Sequence, residues 1–447
     1  MDFNSHILQL SLKIVYSINF LIMKNAIYFI VFICHNLIFS QLTYLHCGKV
    51  FDADKGKMMG EHTIVVANNK IQSVLKGYQE PMEAGVQVVD LKSKTVYPGF
   101  IDMHVHIEGE YNPMQYLNKF QANDADIAYD AAVIALRTLE SGFTTVRDLG
   151  GSGVNVALRN AINKGKVTGP RIYTAGKAIG TTGGHADPTN GFKASIQGDP
   201  GPKEGVINSV DDAKKAVRQR YKDGADWIKI TATGGVLSVA KNGQNPQFTD
   251  EEIAAITKTA ADYGFKVAAH AHGDEGMYRA VANGVKTIEH GTLIEKRTME
   301  LMKEKQTYFV PTITAGKFVA ENAKKPGAYP EIIVPKALAI GAQIQETFKK
   351  VYKFGVPVAF GTDAGVFPHG QNADEFIYMN EVGVPIAEAL QMATVINAKI
   401  LDESERLGQL KEGFLADIIA TDENALDNIH TLKNVTFVMK DGIIYKQ

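Results

Sequence analysis

The sequence predicts an α/β protein in which a closed (β/α)8 barrel, the TIM-barrel arrangement, carries a small β-sandwich domain formed from both chain ends. Three observations predict it. From residue 98 to about residue 403, apolar runs of strand length alternate with helical patterns, as in a parallel sheet covered by helices. The segments 42–97 and 404–447 instead show short β-like runs separated by turn residues. A chain of 447 residues is long enough for one large barrel and a smaller domain.

Eight apolar runs between residues 98 and 403 are the predicted barrel strands. Strand-then-helix units in series favour a closed parallel barrel. An open doubly wound sheet is the alternative, but no glycine-rich phosphate-binding fingerprint follows the first strand. The predicted strands are 101–106, 144–147, 171–174, 227–231, 266–270, 285–290, 308–312 and 356–363.

Apolar periodicity and end signals mark the intervening helices. Thr249 followed by Glu252 is a capping box, and Gly224 is placed to end the helix before the fourth strand. Alanines and leucines between 128 and 139 share one helical face, and Gly142 ends that helix. The other predicted helices are 154–164, 211–222, 275–283 and 335–354.

The two chain ends have a different, β-rich character. Turn residues separate their short runs, with Asp441-Gly442 the clearest hairpin signal. Because both ends share this pattern, we expect one sandwich built from the two of them. The runs are 45–51, 63–66, 71–75 and 86–89 at the start, and 416–420, 435–440 and 443–445 at the end.

The first forty residues resemble a secretory signal. Met23 is followed by one Lys, an apolar run over 26–34 and small or polar residues at Ser40 and Gln41. Residues 1–22 are then an extension ahead of the better start at Met23. The prediction is export to the periplasm or the exterior, or a cytoplasmic protein if 1–40 is only an extension. An uncleaved membrane anchor over 14–39 is the alternative, and the one case in which a membrane partner is expected.

Charge and cysteine content exclude several classes of partner and cross-link. The formal net charge is -2 and no long run of Lys or Arg occurs, so nucleic acid is not an expected partner. Of the two cysteines, Cys34 lies in the leader-like segment. A mature chain would keep Cys47 alone, which excludes an intramolecular disulfide.

Metal-ligand residue types stand at the ends of five predicted strands. His104 and His106 are two residues apart and therefore share one face of the first strand. Each residue alone is more often a satisfied polar group than a ligand, and Lys229 alone could extend from a barrel end. Their occurrence at five strand ends, where barrels place their reactive groups, favours a divalent metal site. The set is His104, His106, Lys229, His270, His290 and Asp363.

The chain resembles the amidohydrolase superfamily over nearly all of its length past the leader. The segments behind this resemblance are PGFIDMHVH (98–106), GFTTVRD (142–148) and GTDAG (361–365). Within the superfamily it is similar to metal-dependent dipeptidases and carboxypeptidases that cleave Xaa-Pro or Xaa-Arg/Lys peptides. The narrower similarity rests on TGGHAD (182–187), DWIKI (226–230), TGGVLS (233–238) and VAAHAHG (267–273).

The resemblance implies two divalent ions, with zinc the first expectation. By similarity, His104, His106 and Asp363 bind the more buried ion and His270 and His290 the other. Lys229, carboxylated by CO₂, bridges both, because a carbamate is an anionic oxygen ligand whereas an ammonium is not. Its apolar neighbours favour the neutral amine that reacts. The implied reaction is hydrolysis of a C-terminal amide in dipeptides or small N-acyl amino acids by a metal-bridging hydroxide, with Asp363 relaying the proton to the leaving amine.

Loop residues after the strands are the predicted substrate contacts. His185 is expected to polarise the scissile carbonyl or hold a substrate carboxylate, so it counts with Asp363 as catalytic. The loop from Gly234 to Ser238, with Gly235, Val236 and Ser238 as its predicted contacts, is expected to present backbone N–H groups to a substrate carboxylate. His369 is expected to face the site without an assigned role. His272, Arg220 and Tyr221 are expected to be structural.

Two other functions stay open at this point. An imidazolonepropionase-like cyclic amide hydrolase or a related deaminase would share His104 and His106, but usually runs on one metal without a lysine at the fourth strand. A non-catalytic barrel that binds a ligand is the second, since fold alone does not give function. Superfamily relatives are often dimers to octamers, which implies a homo-oligomer.

Overall fold

The computed structural model describes residues 42–238 and 243–447, together with Lys13, Tyr16, Met23 and Lys24. The leader predicted over 1–40 therefore lies outside the described residues, apart from those four positions. Within the described part of the chain, no helix has the length and apolar character that crossing a membrane requires.

Strands and helices alternate through the middle of the chain, and strands dominate both ends. The strands are β1 (Leu42–Asp52), β2 (Lys57–Met59), β3 (His62–Ala67), β4 (Lys70–Lys76), β5 (Gln87–Pro98), β6 (Phe100–Val105), β7 (Phe143–Asp148), β8 (Arg171–Thr174), β9 (Gly180–Thr181), β10 (Val206–Ile207), β11 (Ile228–Thr231), β12 (Val267–Gly273), β13 (Thr287–Leu293), β14 (Tyr308–Val310), β15 (Ile418–Thr421), β16 (Val435–Lys440) and β17 (Ile443–Lys446). The helices are Gln115–Gln121, Asp124–Glu140, Val154–Asn163, Ala194–Gln197, Val210–Asp223, Asp250–Asp262, Asp274–Ala282, Lys296–Lys305, Ile313–Ala323, Val334–Phe354, Asp374–Glu381, Ile386–Gln391 and Asn397–Ile400, with a π turn at Met392–Ile396 and a 3-10 turn at Ile429–Lys433.

A closed parallel barrel occupies the middle of the chain. β6, β7 and β8 pair in parallel, and so do β11, β12, β13 and β14. The two groups meet where the N–H of Ile179 donates to the carbonyl of Lys229 at 2.8 Å. The segment 356–364 closes the ring, since Val358 bridges Phe309 of β14 and Ala364 bridges Val105 of β6. The predicted barrel is confirmed, and its eighth strand is an extended segment held by isolated bridges.

Local signals in the sequence account for the ends of the barrel helices. The Thr249 hydroxyl oxygen accepts a hydrogen bond from the N–H of Glu252, and the Glu252 carboxylate accepts one from the N–H of Thr249, so the predicted capping box forms. Gly224 ends the helix Val210–Asp223 with φ of 85°, a left-handed conformation that glycine adopts without steric cost.

The strands of the two chain ends form one eight-stranded sheet. Its order is β17-β16-β15-β5-β1-β3-β4, with β2 added to β1. β5 joins the ends, because it runs parallel to β1 and antiparallel to β15. Apolar residues from both ends, such as Leu45, Ile64 and Phe437, fill a shared core. A small β domain built from both termini around one shared core is thereby confirmed.

Candidate metal centre and active-site cavity

The predicted metal ligands converge at the carboxyl ends of the barrel strands. They line one cavity of about 650 Å³, a size typical of small-molecule sites. Four lie within strands β6, β11, β12 and β13, one follows β6 directly, and one lies in the closing segment. In chain order the six are His104, His106, Lys229, His270, His290 and Asp363.

His104, His106 and Asp363 form the tightest group of these side chains. The Oδ1 atom of Asp363 lies 3.3 Å from Nε2 of His104 and 3.3 Å from Nε2 of His106. One potential ligand atom from each residue falls within 4.8 Å of the others. Asp363 Oδ1 is buried and has no hydrogen-bond partner among the described residues. A buried, unsatisfied anionic oxygen beside two imidazole nitrogens fits a divalent cation.

A chain of hydrogen bonds between buried side chains holds the imidazole of His104 in place. Its Nδ1 bonds to Oε2 of Glu289 at 2.9 Å, and Oε1 of Glu289 accepts from Nη2 of Arg147 at 2.9 Å. Burial opposes ionisation of Glu289, but the charge of Arg147 and the bond from His104 lower its pKa to about 2. An ionised Glu289 accepts a hydrogen bond from the N–H of Nδ1, which leaves the Nε2 lone pair of His104 available for a metal.

The other three imidazoles are each held through one ring nitrogen by a protein oxygen. Bonds to backbone carbonyls require a protonated ring nitrogen, so in the neutral ring the opposite nitrogen carries the lone pair. Outer partners of this kind orient metal-binding histidines. The pairs are His106 Nδ1 with the Gly150 carbonyl at 2.8 Å, His270 Nε2 with the Gly234 carbonyl at 3.1 Å, and His290 Nδ1 with Thr312 Oγ1 at 2.8 Å.

Lys229 is the buried amine of the cavity. Its Nζ lies 3.4 Å from Nε2 of His104, and the residue is 4% exposed. Desolvation lowers the pKa of Lys229 to about 8, with Arg147 adding to the effect and Glu289 and Asp363 opposing it. A substantial neutral fraction therefore exists near pH 8, and the neutral amine is the form that can react with CO₂.

Three residues of the centre have left-handed backbone conformations. His290, Thr312 and Asp363 have φ of 72°, 51° and 61°. Thr312 is β-branched, so this conformation costs it on the order of 1–3 kcal/mol. Strain of this kind persists where the surrounding structure fixes the backbone. Here it sets the direction of the side chains of the predicted ligand His290, its hydrogen-bond partner Thr312 and the carboxylate of Asp363.

Some of the predicted substrate contacts line the cavity, and others lie outside its lining. His185 lines the cavity with its ring centroid 4.3 Å from that of His270, and its buried Nδ1 has no hydrogen-bond partner among the described residues. Val236 also lines it. Gly235 lies behind His185, because a Cβ there would stand 2.2 Å from the ring. Ser238 lies outside the lining, and its hydroxyl donates to the Gly235 carbonyl at 3.0 Å.

The expectation that His369 faces the site is wrong. Its Nδ1 pairs with Thr138 Oγ1 at 2.9 Å, and its Nε2 lies 3.2 Å from the backbone carbonyl of His106. Both ring nitrogens are thus used within the protein, and the residue is 2% exposed and outside the cavity lining. His369 supports the loop that carries His106.

Sequence reasoning missed two features of the site. Glu289 stands within a buried strand, and an acid in such a strand signals a buried partner. The helix Ile313–Ala323 was not predicted, although its apolar residues recur every three or four positions. Together with Val334–Phe354 it forms one wall of the cavity.

The role of Glu289 can be tested by the Glu289→Gln substitution. We expect metal affinity to fall roughly 10- to 100-fold, the usual cost of removing such an outer partner. Metal titration of the purified protein measures this, with the exposed Glu300→Gln as the matched control. Because the substitution also breaks a buried ion pair, unfolding of the metal-free proteins separates lost stability from lost affinity. Unchanged affinity in a folded variant would contradict the assigned role.

Comparison with known proteins agrees with this geometry. The family model described as the amidohydrolase family matches residues 95–446. Ochratoxinase from Aspergillus niger is 34% identical over 440 residues, which cover 91% of this chain and 87% of that protein.

Solved structures of hydrolases are also similar to this chain. A Xaa-Pro dipeptidase with methionine bound in its active site superposes with a TM-score of 0.87 at 50% identity, covering 91% of this chain and 100% of that one. A prolidase complexed with N-methylphosphonate-L-proline superposes with a TM-score of 0.82 at 31% identity, again covering 91% of this chain and 100% of the other.

Proposed function

Because this chain belongs to the amidohydrolase family, we propose that it is a two-metal hydrolase of dipeptides or small N-acyl amino acids that cleaves their C-terminal amide bond. The family and its hydrolase relatives make it an enzyme that acts on carbon–nitrogen bonds. One observation carries the finer proposal: a buried lysine with a lowered pKa lies among four oriented imidazoles and an unsatisfied carboxylate.

The side chains that would hold the ions follow from this arrangement. His104, His106 and Asp363 would hold one, and His270 and His290 the other, with Lys229 between them after its neutral amine takes up CO₂ and loses a proton. When bound, such ions supply Lewis acidity that lowers the pKa of water and polarises an amide carbonyl. Imidazole, carboxylate and carbamate accept several divalent ions, of which we propose zinc.

Asp363 and His185 would carry the proton transfer and the orientation of the amide. Burial opposes ionisation of Asp363, but His104, His106 and Lys229 lower its pKa, so it enters the reaction as a carboxylate that accepts a proton from water. It then returns that proton to the leaving amine. Desolvation, with repulsion from His272 and Lys229, lowers the pKa of His185, so its ring is neutral and can donate one hydrogen bond to the carbonyl oxygen.

A peptide-type substrate is supported by the relatives and by the lysine. The solved relatives at 50% and 31% identity are a Xaa-Pro dipeptidase and a prolidase. A cyclic amide hydrolase or a deaminase running on one ion would not need Lys229 at the end of the fourth strand. A non-catalytic barrel would not need to retain a full set of oriented ligands.

Metal dependence and substrate choice test the proposal together. Protein freed of metal with a chelator is expected to lose hydrolysis of a dipeptide panel, and to regain it on binding about two divalent ions per chain. Elemental analysis and amine release measure the two quantities. Activity confined to cyclic amides, or full activity without metal, would overturn the proposed function.

A further inference from the structure

The cavity has two chemically different walls. One is apolar and includes Val319 of the helix Ile313–Ala323 with Ile340 and Ile344 of the helix Val334–Phe354. These helices follow β14, the seventh barrel strand. The charged wall includes Lys177, on the loop after β8, the third barrel strand. Strands three and seven are diametrically opposite in a closed barrel of eight.

Two glycines give the apolar wall its shape. A Cβ at Gly316 would lie 2.7 Å from Cγ2 of Ile344, and one at Gly341 would lie 2.2 Å from Cβ of Ala320. The two helices therefore pack in direct backbone contact, and the side chains that they present to the cavity are aliphatic. The favourable contact for this wall is another apolar group.

Lys177 supplies an unpaired cation to the other wall. The residue is half-buried, and among residues 42–238 and 243–447 its ammonium takes part in no hydrogen bond or ion pair. Glu204 also lines this wall, and its carboxylate accepts from the N–H of Gly201 at 3.2 Å. Lys203 and Lys177 attract this carboxylate and help to lower its pKa, but neither forms an ion pair with it. A half-buried ammonium that makes no hydrogen bond or ion pair is the natural contact for a ligand anion.

The loop that carries Lys177 is fixed. Buried Arg220 donates from Nε to the Lys177 carbonyl at 2.7 Å and from Nη1 to the Lys203 carbonyl at 3.2 Å. The neighbouring helix start is already occupied, because Glu108 accepts from the N–H groups of Ser152 and Asn155, both at 2.6 Å. Of the anion-attracting groups on this wall, the ammonium of Lys177 is thus the one left for a ligand.

From these two walls we propose that Lys177 binds the free carboxylate of the substrate, while the facing helices take an apolar side chain from the other side of the scissile bond. The inference rests on the proposed function and narrows it. The substrate lies across the barrel mouth with its carboxylate towards strand three. Substrates are then peptides or N-acyl amino acids with an apolar acyl residue and an ionised C-terminus.

Lys177→Met tests the carboxylate contact, with the exposed Lys164→Met as its control. The substrates are L-leucyl-L-leucine and its C-terminal carboxamide. Wild-type enzyme is expected to prefer the free acid. Lys177→Met should raise KM for the acid roughly 10- to 100-fold, the scale of one charge-assisted hydrogen bond, with kcat nearly unchanged and the carboxamide unaffected. Lys177→Arg should restore most of the preference.

A binding measurement separates this inference from the proposed function. Calorimetry is expected to show L-leucine binding more tightly than L-leucinamide to wild-type holoenzyme, and equally to Lys177→Met. If neither peptide is hydrolysed but this binding difference is found, the carboxylate contact stands and the peptidase function falls. The role of Lys177 is overturned if peptides are cleaved without preference for the free acid. It is also overturned if Lys177→Met loses activity on the acid and on the carboxamide to the same extent.

Discussion

Substitution of Lys229 by methionine is expected to lower kcat/KM by roughly 10³-fold or more, and to reduce the bound metal below two ions per chain. Methionine matches the length of the lysine stem, so the 4% exposed position stays filled while the nitrogen is lost. What disappears is the only predicted ligand able to become an anionic bridge between the two histidine groups.

Steady-state kinetics and elemental analysis of the same preparations measure this effect. Lys258→Met, at an exposed position of the helix Asp250–Asp262, is the control and should keep full activity. In Lys229→Ala, added propionate should restore part of the activity, because a small carboxylate can occupy the vacated space. A fully active Lys229→Met variant holding two ions would remove the bridge from the mechanism.

The lowered pKa of Lys229 adds a pH dependence to metal loading. With the pKa at about 8 rather than the ordinary 10.5, the neutral amine becomes the main form above pH 8. Reactivation of metal-free enzyme should therefore be faster at pH 8 than at pH 6.5, and bicarbonate should accelerate it. A rate independent of both would show that carboxylation does not limit assembly of the centre.

The residues of the candidate metal centre could be located from the sequence because they follow the short periods of regular strands. His104 and His106 share a face by strand alternation, and Lys229, His270 and His290 stand in strands that the apolar pattern already marks. Their convergence follows from the barrel, in which all carboxyl strand ends meet at one rim. This part of the site needed no knowledge of long-range contacts.

The predictions that failed concern features that depend on contacts between residues far apart in the sequence. The loop around His369 packs against Thr138, 231 positions away, and no local pattern shows that this turns the ring from the cavity. The eighth strand is held by isolated bridges to residues on β14 and β6 rather than by a regular ladder. The apolar pattern over 356–363 therefore predicted a more regular strand than the structure contains. The apolar wall arises from the packing of two helices through Gly316 and Gly341, a contact that appears only in three dimensions.

Asp363→Asn is expected to lower kcat by about 10²- to 10⁴-fold while the protein stays folded, because an amide can neither accept the proton of water nor return it to the leaving amine. Asn is the substitution that preserves the backbone: Asp363 has φ of 61°, a left-handed conformation that Asn tolerates better than most residues. It also keeps one carbonyl oxygen near His104 and His106. The loss of turnover should therefore exceed any loss of stability.

The matched control is Asp402→Asn. Asp402 has nearly the same conformation, with φ of 62°, but its exposed carboxylate pairs with Lys266 at 2.6 Å away from the cavity. Exposed ion pairs contribute little to stability, so this variant should show wild-type kinetics. The role of Asp363 is tested by measuring rate constants, metal content and thermal unfolding of both variants. An Asp363→Asn enzyme that keeps its ions and turns over normally would assign the proton transfer to another group, with His185 the next residue to test.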